Sequence, residues 1–496
     1  MKEIKKLLVA NRAEIALRII RTAKALGIKT VAVFSEADKT AAHVAAADEA
    51  VSLGSPEASR SYLNIAAIID AARRVKADAI HPGYGFLSER ADFAKAVADA
   101  GIIFVGPPAS ALALAGDKIG ARKIAMECAI PVVPGGEVED LSAARALAAR
   151  LGFPVVVKAA AGGGGRGMRV VRAETELEEA LEAGAREAKQ AFGDGRVYLE
   201  KFLARPRHVE VQLLCDAYGR VVVLGERECS VQRRHQKLIE ESPSPVVDDE
   251  LRSKMAQAAI KLAQRTGYVN AGTVEFLLDG REFYFLEINA RLQVEHPVTE
   301  LRFNCDLVAE QLKLAAGEPV RDRWEPRGHA LECRIYAEDP ELGFRPATGE
   351  VLYVHKPEGP GVRVDSWIEP GSRITPYYDG LLAKVITYGE DREQARRRMA
   401  IALEELVLAG VPHTGGFLRD IVLSEPFIRG ELSTRLIDEQ FATWRPDQQA
   451  LRVALAMAAT AFVRRIDLTQ SATGPTLNRR ADRSPWVELR GFVPWS

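Results

Sequence analysis

Over the first eighty residues, strand-like and helix-like runs alternate, and no other feature constrains the fold as strongly. "KLLVA" (6–10) predicts a strand, 13–26 an amphipathic helix, and "IKTVAVF" (28–34) the next strand. A helical pattern at 63–75 and a strand at 78–81 continue the rhythm. Such alternation implies a parallel, doubly wound sheet, because parallel strands need a crossover between them. Sheets of this kind seat ligands, often nucleotides, at the carboxyl ends of their strands. The first turn, however, reads "ANRAEI". It lacks the G-x-G-x-x-G that lets a pyrophosphate approach the backbone, which argues against NAD. "HPGYGFLSER" (81–90) follows the 78–81 strand, and its two glycines suit a plain turn and a site loop equally.

A Pro/Gly break, "IPVVPGG" (130–136), separates this region from a second α/β pattern. There "FPVVVKAAAGGGGRGMRVV" (153–171) reads strand, glycines, strand. A Walker A loop would run into a helix through Gly-Lys-Ser/Thr, and that is absent. Glycines between two strands suit a flap whose amides turn inward over phosphates, with Lys158 supplying a fixed charge. The plain alternative is a flexible linker, which "VVVK" and "MRVV" on either side disfavour.

Residues 272–299 carry the densest chemistry. In "GTVEFLLDGREFYFLEIN" (272–289) Asp279-Gly280 marks a hairpin, with Glu275 and Glu287 on its two arms. A two-residue loop pairs 275 with 284 and puts the glutamates on opposite faces. A three-residue loop, 279–281, pairs 275 with 285 and 273 with 287. The carboxylates are then diagonal neighbours on one face, about 7 Å or less apart at Cβ. Both loops fit the sequence, and a shared metal requires the second. Glu275, Glu287 and Asn289 are an all-oxygen set suited to Mg²⁺ or Mn²⁺ bound together with phosphates. Beyond the arm, Glu287, Asn289, Arg291, Gln293 and Glu295 alternate with Ile288, Ala290, Leu292 and Val294. Period two predicts one continuing strand with a polar face. On it, Arg291 offers a guanidinium to an anion and Glu295 a carboxylate to a proton.

"ERECSVQRRHQKLIEE" (226–241) gathers Gln232, Arg233, Arg234, His235, Gln236 and Lys237. Alone it reads as a solvated charge run; beside a phosphate site it reads as a second basic wall. His208 and His235 could hydrogen-bond phosphates; ordinary structural histidines are the better reading than metal ligands, since no H-x-x-x-H or cysteine partner exists.

Composition closes off other classes. The 496 residues exceed one ordinary core and imply two to four domains. A net charge of -1 with dispersed basic residues gives no footing for nucleic acid. No apolar run is long enough for a signal peptide or a bilayer span, which predicts a cytoplasmic protein without membrane contact. Cys128, Cys215, Cys229, Cys305 and Cys333 are odd in number and never in a CxxC pair, which predicts free thiols.

Several of these stretches carry a family likeness. "ANRAEIALRI", "HPGYGFLSE", "GDK", "KAAAGGGGRGMRVV", "VYLEKFL", "RHVEVQ", "ERECSVQRRHQKLIEE", "EINARLQVEHPVTE", "GHALECRIYAEDP" and "YYDGLLAKVI" together resemble the biotin carboxylase component of biotin-dependent carboxylases, in the ATP-grasp superfamily. The resemblance covers roughly residues 3–445. It implies an α/β (α+β) ATP-grasp fold. The expected parts are a Rossmann-like domain (1–113), linker helices (114–130), a mobile glycine-rich lid (131–204), a mixed, antiparallel β-rich part (205–446) and an extension (447–496). Two stretches depart from the usual pattern: Ala161 stands where some members have glycine, and "ELRFNCDLV" (300–308) replaces a smaller, more apolar run.

The resemblance also implies roles. Lys118 and Lys158 would contact ATP phosphates, with Gly164 and Gly165 closing over them. Glu200, Lys201 and Leu203 would read the adenine; His208, Gln232 and His235 would line ribose and phosphates. Glu275, Glu287 and Asn289 would hold two Mg²⁺ or Mn²⁺ ions. Lys237, Arg291, Gln293 and the Val294 backbone would bind bicarbonate, Glu295 would be its general base, and Arg334 would hold the biotin ureido oxygen. The implied reaction is ATP-dependent carboxylation of biotin. No "AMKM" biotinyl-lysine motif occurs, so the implied carrier is a biotin carboxyl carrier protein or domain outside these residues. A carboxyltransferase subunit and a homodimer complete the implied partners. The 447–496 tail looks like the opening of longer acyl-CoA carboxylase α-subunits. Three rivals are another ATP-grasp carboxylate-activating ligase, the same component of a pyruvate or urea carboxylase, and a non-catalytic scaffold. Arg334 in "ECRIYAEDP" and the "RLQVEHP" row speak against the first, and retention of every charged site residue against the last.

Overall fold

The computed structural model describes residues 3–159, 168–192 and 195–447. Gly164, Gly165 and Ala161 in the glycine loop, and the tail from 448, lie outside the described residues. Residues 1–444 form one compact unit, to which all that follows belongs.

The N-terminal alternation folds as its pattern demands. Strands β1 (Lys6–Val9), β2 (Lys29–Ser35), β3 (Glu49–Gly54), β4 (Ala79–His81) and β5 (Ile103–Phe104) form a parallel sheet in the order β3-β2-β1-β4-β5. Helix α1 (Ala13–Ala25) buries Ile15, Ile19 and Ile20 against one face, and Ile68 and Phe93 from later helices cover the other. The order reverses between β1 and β4, so the loops after these strands meet. Asn11 Nδ2 donates to the carbonyls of Pro82 (2.7 Å) and Tyr84 (2.8 Å), stitching "ANRAEI" to "HPGYGF". Gly83 takes a positive φ of 63° there, and a Cβ on it would lie 2.9 Å from the Asn11 amide. The position admits glycine for both reasons.

Helix α2 (Lys118–Glu127) starts where Asp117 accepts from the Gly120 N–H, so the "GDK" motif is a helix cap that fixes Lys118 at the first turn. Four strands then form a small antiparallel sheet in the order β6-β9-β7-β8: β6 (Gly135–Val138), β7 (Val155–Ala159), β8 (Arg169–Val171) and β9 (Val197–Lys201). Helices α3 (Leu141–Leu151) and α4 (Leu177–Phe192) pack on it through Ala144, Leu147 and Leu177.

The largest sheet has eight antiparallel strands. They are β10 (Arg207–Cys215), β11 (Val221–Arg233), β12 (Gln236–Ser242), β13 (Asn270–Asp279), β14 (Glu282–Asn289), β15 (His329–Tyr336), β16 (Val362–Ser366) and β17 (Leu381–Gly389). Their order is β14-β13-β10-β11-β12-β15-β17-β16. Helix α5 (Asp249–Thr266) covers its first half through Leu251, Met255 and Leu262.

Two expectations for residues 272–295 are corrected. The hairpin turn is two residues long but sits at Gly280-Arg281, with Asp279 paired to Glu282. A β-bulge follows: Phe276 pairs with Phe285, yet Glu275 pairs with Glu287, leaving Leu286 as the extra residue. Neither loop foreseen from the sequence is present, and the bulge makes the two glutamates directly opposite rather than diagonal. The second correction concerns the alternating row. The strand stops at Asn289, residues 290–295 bend away, and helix α6 (His296–Phe303) begins with Glu295 at its N-cap and Pro297 in its first turn. Proline cannot donate to a ladder but is tolerated in a first helical turn. In "ELRFNCDLV", Asn304 ends α6 in the left-handed conformation, φ 46°.

All five cysteines are free thiols. Among the described residues no helix is long and apolar enough to cross a membrane.

Candidate active site

A cleft of about 740 Å³ opens between the small sheet, the large sheet and the bend. Every expected site residue within the described part lines it, from Lys118 and Lys158 through Leu203 to Glu295 and Arg334.

The cleft is organised across strands, not along one. Arg227, Glu210, Glu275 and Glu287 stand directly opposite one another on β11, β10, β13 and β14. Direct partners share a face, so one transverse row carries a guanidinium and three carboxylates. Arg227 is fully buried and donates to Glu210 Oε1 (2.5 Å), Gln212 Oε1 (2.7 Å), Thr299 Oγ1 (3.0 Å) and Thr273 Oγ1 (3.1 Å). It uses nearly its whole donor set and holds Glu210 in place.

Lys237 comes from β12 onto this row. Its ammonium donates to Glu210 Oε2 (2.6 Å), Glu275 Oε1 (2.8 Å) and Glu295 Oε1 (2.6 Å). Arg334, from β15, donates through Nη2 to Glu295 Oε2 (2.9 Å), and its Nε lies 2.5 Å from Glu240 in an ion pair without hydrogen-bond alignment. Burial alone would push the Glu295 carboxyl up; Lys237, Arg334 and Arg227 outweigh it and hold Glu295 well below the usual carboxylate range. Glu275 is likewise held well down, by Lys237 and His208 against burial. Glu295 is therefore an ionised carboxylate in a buried seat, able to receive a proton.

The bend brings a guanidinium of its own. Arg291 donates to Gln293 Oε1 (2.6 Å) and Asn289 Oδ1 (2.9 Å), and its Nε faces Glu89 at 3.3 Å. Gln293 donates to Glu275 Oε1 (3.2 Å). Glu89 belongs to "HPGYGFLSER", so that loop contacts Arg291 of the cleft wall.

At the other end, Lys118 pairs with Glu287 (3.0 Å) and Lys158 with Glu200, which also meets Arg122 (3.2 Å). Both lysines expected at phosphates thus face carboxylates here. Lys201 lines the cleft and donates through its ammonium to the Gly152 carbonyl (2.8 Å). His208 Nε2 lies 3.0 Å from Glu275, with Gln232 3.4 Å from its Nδ1. Burial is the largest influence on His208 and lowers its proton affinity, but Glu275 and Glu210 act together against it, and the net shift is upward. His235 is shifted down, by burial and then by Lys158.

The donors suit a hard cation. Glu275 and Glu287 are opposed carboxylates opening on the cleft that holds Lys118 and Lys158, and Asn289 adds an amide with its buried Nδ2 unpartnered. Such oxygen donors fit Mg²⁺ or Mn²⁺. Two tighter groupings, His208–Glu210–Glu275 and Glu210–Cys229–Glu295, also bring potential ligands together. The Lys237 ammonium already contacts Glu210, Glu275 and Glu295, so it supplies the positive charge there.

Sequence reasoning missed Glu89, Arg122, Glu210, Arg227 and Glu240. For Glu210 a signal existed: it lies two residues after His208 in "RHVEVQ", hence on the same strand face. For Arg227 and Glu240 the partners come from other strands, which no local pattern shows.

Comparison with known proteins follows the geometry. Residues 3–112 match the model "Biotin carboxylase, N-terminal domain", 117–323 "Carbamoyl-phosphate synthase L chain, ATP binding domain", and 332–439 "Biotin carboxylase C-terminal domain". A biotin carboxylase of Nostoc sp. is 51% identical over 440 residues, covering 88% of this chain and 98% of the relative. The crystal structure of a Campylobacter jejuni biotin carboxylase–β-γ-ATP complex superposes with a TM-score of 0.86 at 44% identity, over 88% of this chain and 99% of that one. The biotin carboxylase domain dimer of Hydrogenobacter thermophilus 2-oxoglutarate carboxylase, solved with MgADP, ADP and bicarbonate, gives 0.86 at 43% identity, over 90% and 100%. The parallel N-terminal sheet and the antiparallel sheets are those of an ATP-grasp enzyme, and the chain belongs to the biotin carboxylase family.

Proposed function

We propose that this cleft carboxylates biotin with bicarbonate at the expense of ATP, the first half-reaction of a biotin-dependent carboxylase. The observation that carries the reading is Lys237 bound at once to Glu275 and Glu295, with Arg334 on the far oxygen of Glu295. One lysine thereby joins the phosphate end of the cleft to a carboxylate base and its guanidinium. Both solved relatives above were determined with a nucleotide, and one also with bicarbonate.

ATP phosphates draw Lys118 and Lys158 away from Glu287 and Glu200. Glu275, Glu287 and Asn289 would hold Mg²⁺ or Mn²⁺, which when bound neutralises phosphate charge and withdraws electrons from the γ-phosphorus. Leu203 and the backbone of Glu200 and Lys201 meet the adenine. His208, Gln232 and His235 line ribose and phosphates.

Bicarbonate sits against Lys237, Arg291, Gln293 and the Val294 backbone. It takes part of the Lys237 charge, so Glu295 loses some of the field that depresses it and gains proton affinity. Glu295 takes the bicarbonate proton, the freed oxygen attacks the γ-phosphorus, and the β–γ bridging oxygen leaves with ADP. The resulting carboxyphosphate breaks into CO₂ and phosphate. Phosphate receives the N1′ proton of biotin, Arg334 holds the ureido oxygen as it gains charge, and N1′ attacks CO₂. A glycine flap over the nucleotide would keep water from carboxyphosphate.

Biotin arrives on a carrier protein or domain, and a carboxyltransferase subunit takes the product. Two copies pair as a homodimer in the cytoplasm, and residues 1–113, 131–204 and 205–446 act as separate domains, the second as a mobile lid. The test is ADP release by the purified chain with bicarbonate and free biotin each omitted in turn. Release that requires both supports the reading; release indifferent to biotin at high concentration overturns it.

A further inference from the structure

The bend at 290–295 has left the sheet, so its backbone groups need partners outside the ladder. One partner is Lys384 on β17, whose ammonium donates to the Val294 carbonyl at 2.9 Å. That carbonyl belongs to the peptide joining Val294 to Glu295.

Lys384 is fully buried, an expensive place for a charge. Its counter-charges come from two directions. Asp365 stands directly opposite on β16, 3.9 Å from the ammonium, and Glu14 in the first turn of α1 lies at 3.4 Å. Glu14 nevertheless has both oxygens buried without a hydrogen-bond partner. The aligned donor of the lysine goes to the bend, not to the carboxylate.

On its other side Lys384 stands directly opposite Arg334. Arg334, Lys384 and Asp365 therefore form one row across three strands. Arg334 holds the Glu295 carboxylate and Lys384 holds the Val294 carbonyl, so two neighbours in this row anchor two consecutive residues of the bend.

We infer that Lys384 is a positioning residue for bicarbonate: with Glu14 of α1 it fixes the Val294–Glu295 peptide, and through it the anion seat and the base. This rests on the reading of Val294 and Glu295 as the bicarbonate seat. The lysine touches no substrate itself. It makes the geometry of the seat depend on the packing of the N-terminal sheet unit against β17.

The test is steady-state kinetics with bicarbonate and ATP varied separately. Replacing Lys384 alone by an apolar residue leaves Glu14 buried and unpaired, so the first variant is the neutral double substitution Glu14→Gln/Lys384→Met. It should raise the bicarbonate KM by about tenfold, the loss of one hydrogen bond from a charged donor, and leave the ATP KM within about twofold. Lys384→Arg keeps the charge but forces a wider planar donor into the slot, and should raise the bicarbonate KM by about threefold with the same ATP KM. If the double variant does not melt cooperatively, Lys384→Arg decides by the same split. Unchanged bicarbonate KM, or equal rises in both KM values, overturns the inference. A parent enzyme that hydrolyses ATP without bicarbonate would instead refute the underlying function, so the two failures are separable.

Discussion

Glu275 lies directly opposite Glu287 because Leu286 is an extra residue in its strand. On the register set by the Gly280-Arg281 turn, Glu275 would oppose Leu286, and Glu287 would point to the other face. The bulge returns Glu287 to the face of Glu275, Glu210 and Arg227. The acidic pair is thus made by an irregularity in the ladder, and its two members differ in surroundings. Glu275 is buried beneath Lys237 and His208, whereas the Glu287 side chain is 30% exposed and meets Lys118.

That difference predicts unequal outcomes for the same substitution. Glu287→Gln should leave the melting temperature nearly unchanged and lower kcat for ATP cleavage by about 100-fold, the scale of losing one charge-stabilising group. Glu275→Gln should lower activity comparably and also destabilise the fold by about 1–3 kcal/mol, because it weakens buried contacts to Lys237 and His208 while Lys237 keeps Glu210 and Glu295. Thermal melts beside kinetics at varied Mg²⁺ check both, and equal melting temperatures would contradict the distinction.

Glu295→Gln should abolish turnover while nucleotide binding stays within about threefold of the parent. Lys237 keeps Glu210 and Glu275, and Arg334 keeps Glu240, so neither cation is stranded. Calorimetric titration with ATP beside ADP-release assays decides it. A large loss of ATP affinity would remove Glu295 from the role of base.

Arg227 touches no part of the cleft surface, yet it anchors Glu210 under Lys237. Arg227→Met should cost about 3–5 kcal/mol by leaving Glu210 buried beside its acidic neighbours. Arg227→Lys should recover little, since one ammonium cannot serve Glu210, Gln212, Thr299 and Thr273 together. Urea midpoints measure both.

Burial, only partly offset by Lys384, pushes the Glu14 carboxyl up to about 7 from its ordinary 4.5. Between these values the folded state binds more protons at Glu14 than the unfolded chain, so this group makes stability fall as pH rises. The slope is at most about 1.4 kcal/mol per pH unit. Below 4.5 both states are protonated, and above about 7 both are ionised and the loss is complete. Melting temperatures of Glu14→Gln and the parent, compared from pH 5 to 8, should diverge in favour of the variant as pH rises. A difference that is flat with pH would place the Glu14 proton elsewhere.

What the sequence determined by itself was local. Period placed α1, β1 and β2 to within a residue or two, because each needs only its own apolar face. The residue types of the cleft were legible for the same reason: Glu287 to Glu295 announce their chemistry in one run. The tertiary structure alone decided how they meet. The even spacing of that run suggested one strand, yet Asn289 ends the ladder and Glu295 stands at the first position before a helix. Its members converge because the chain bends back over the sheet, where Lys237, Arg334 and Lys384 from three other strands hold it. The Arg227–Glu210 pair and the lysine beneath Val294 join residues 17 and 90 positions apart along the chain, and Arg18 reaches Glu300 across 282. Register and long-range charge pairing are properties of neighbours in space, so a period read along one segment cannot contain them.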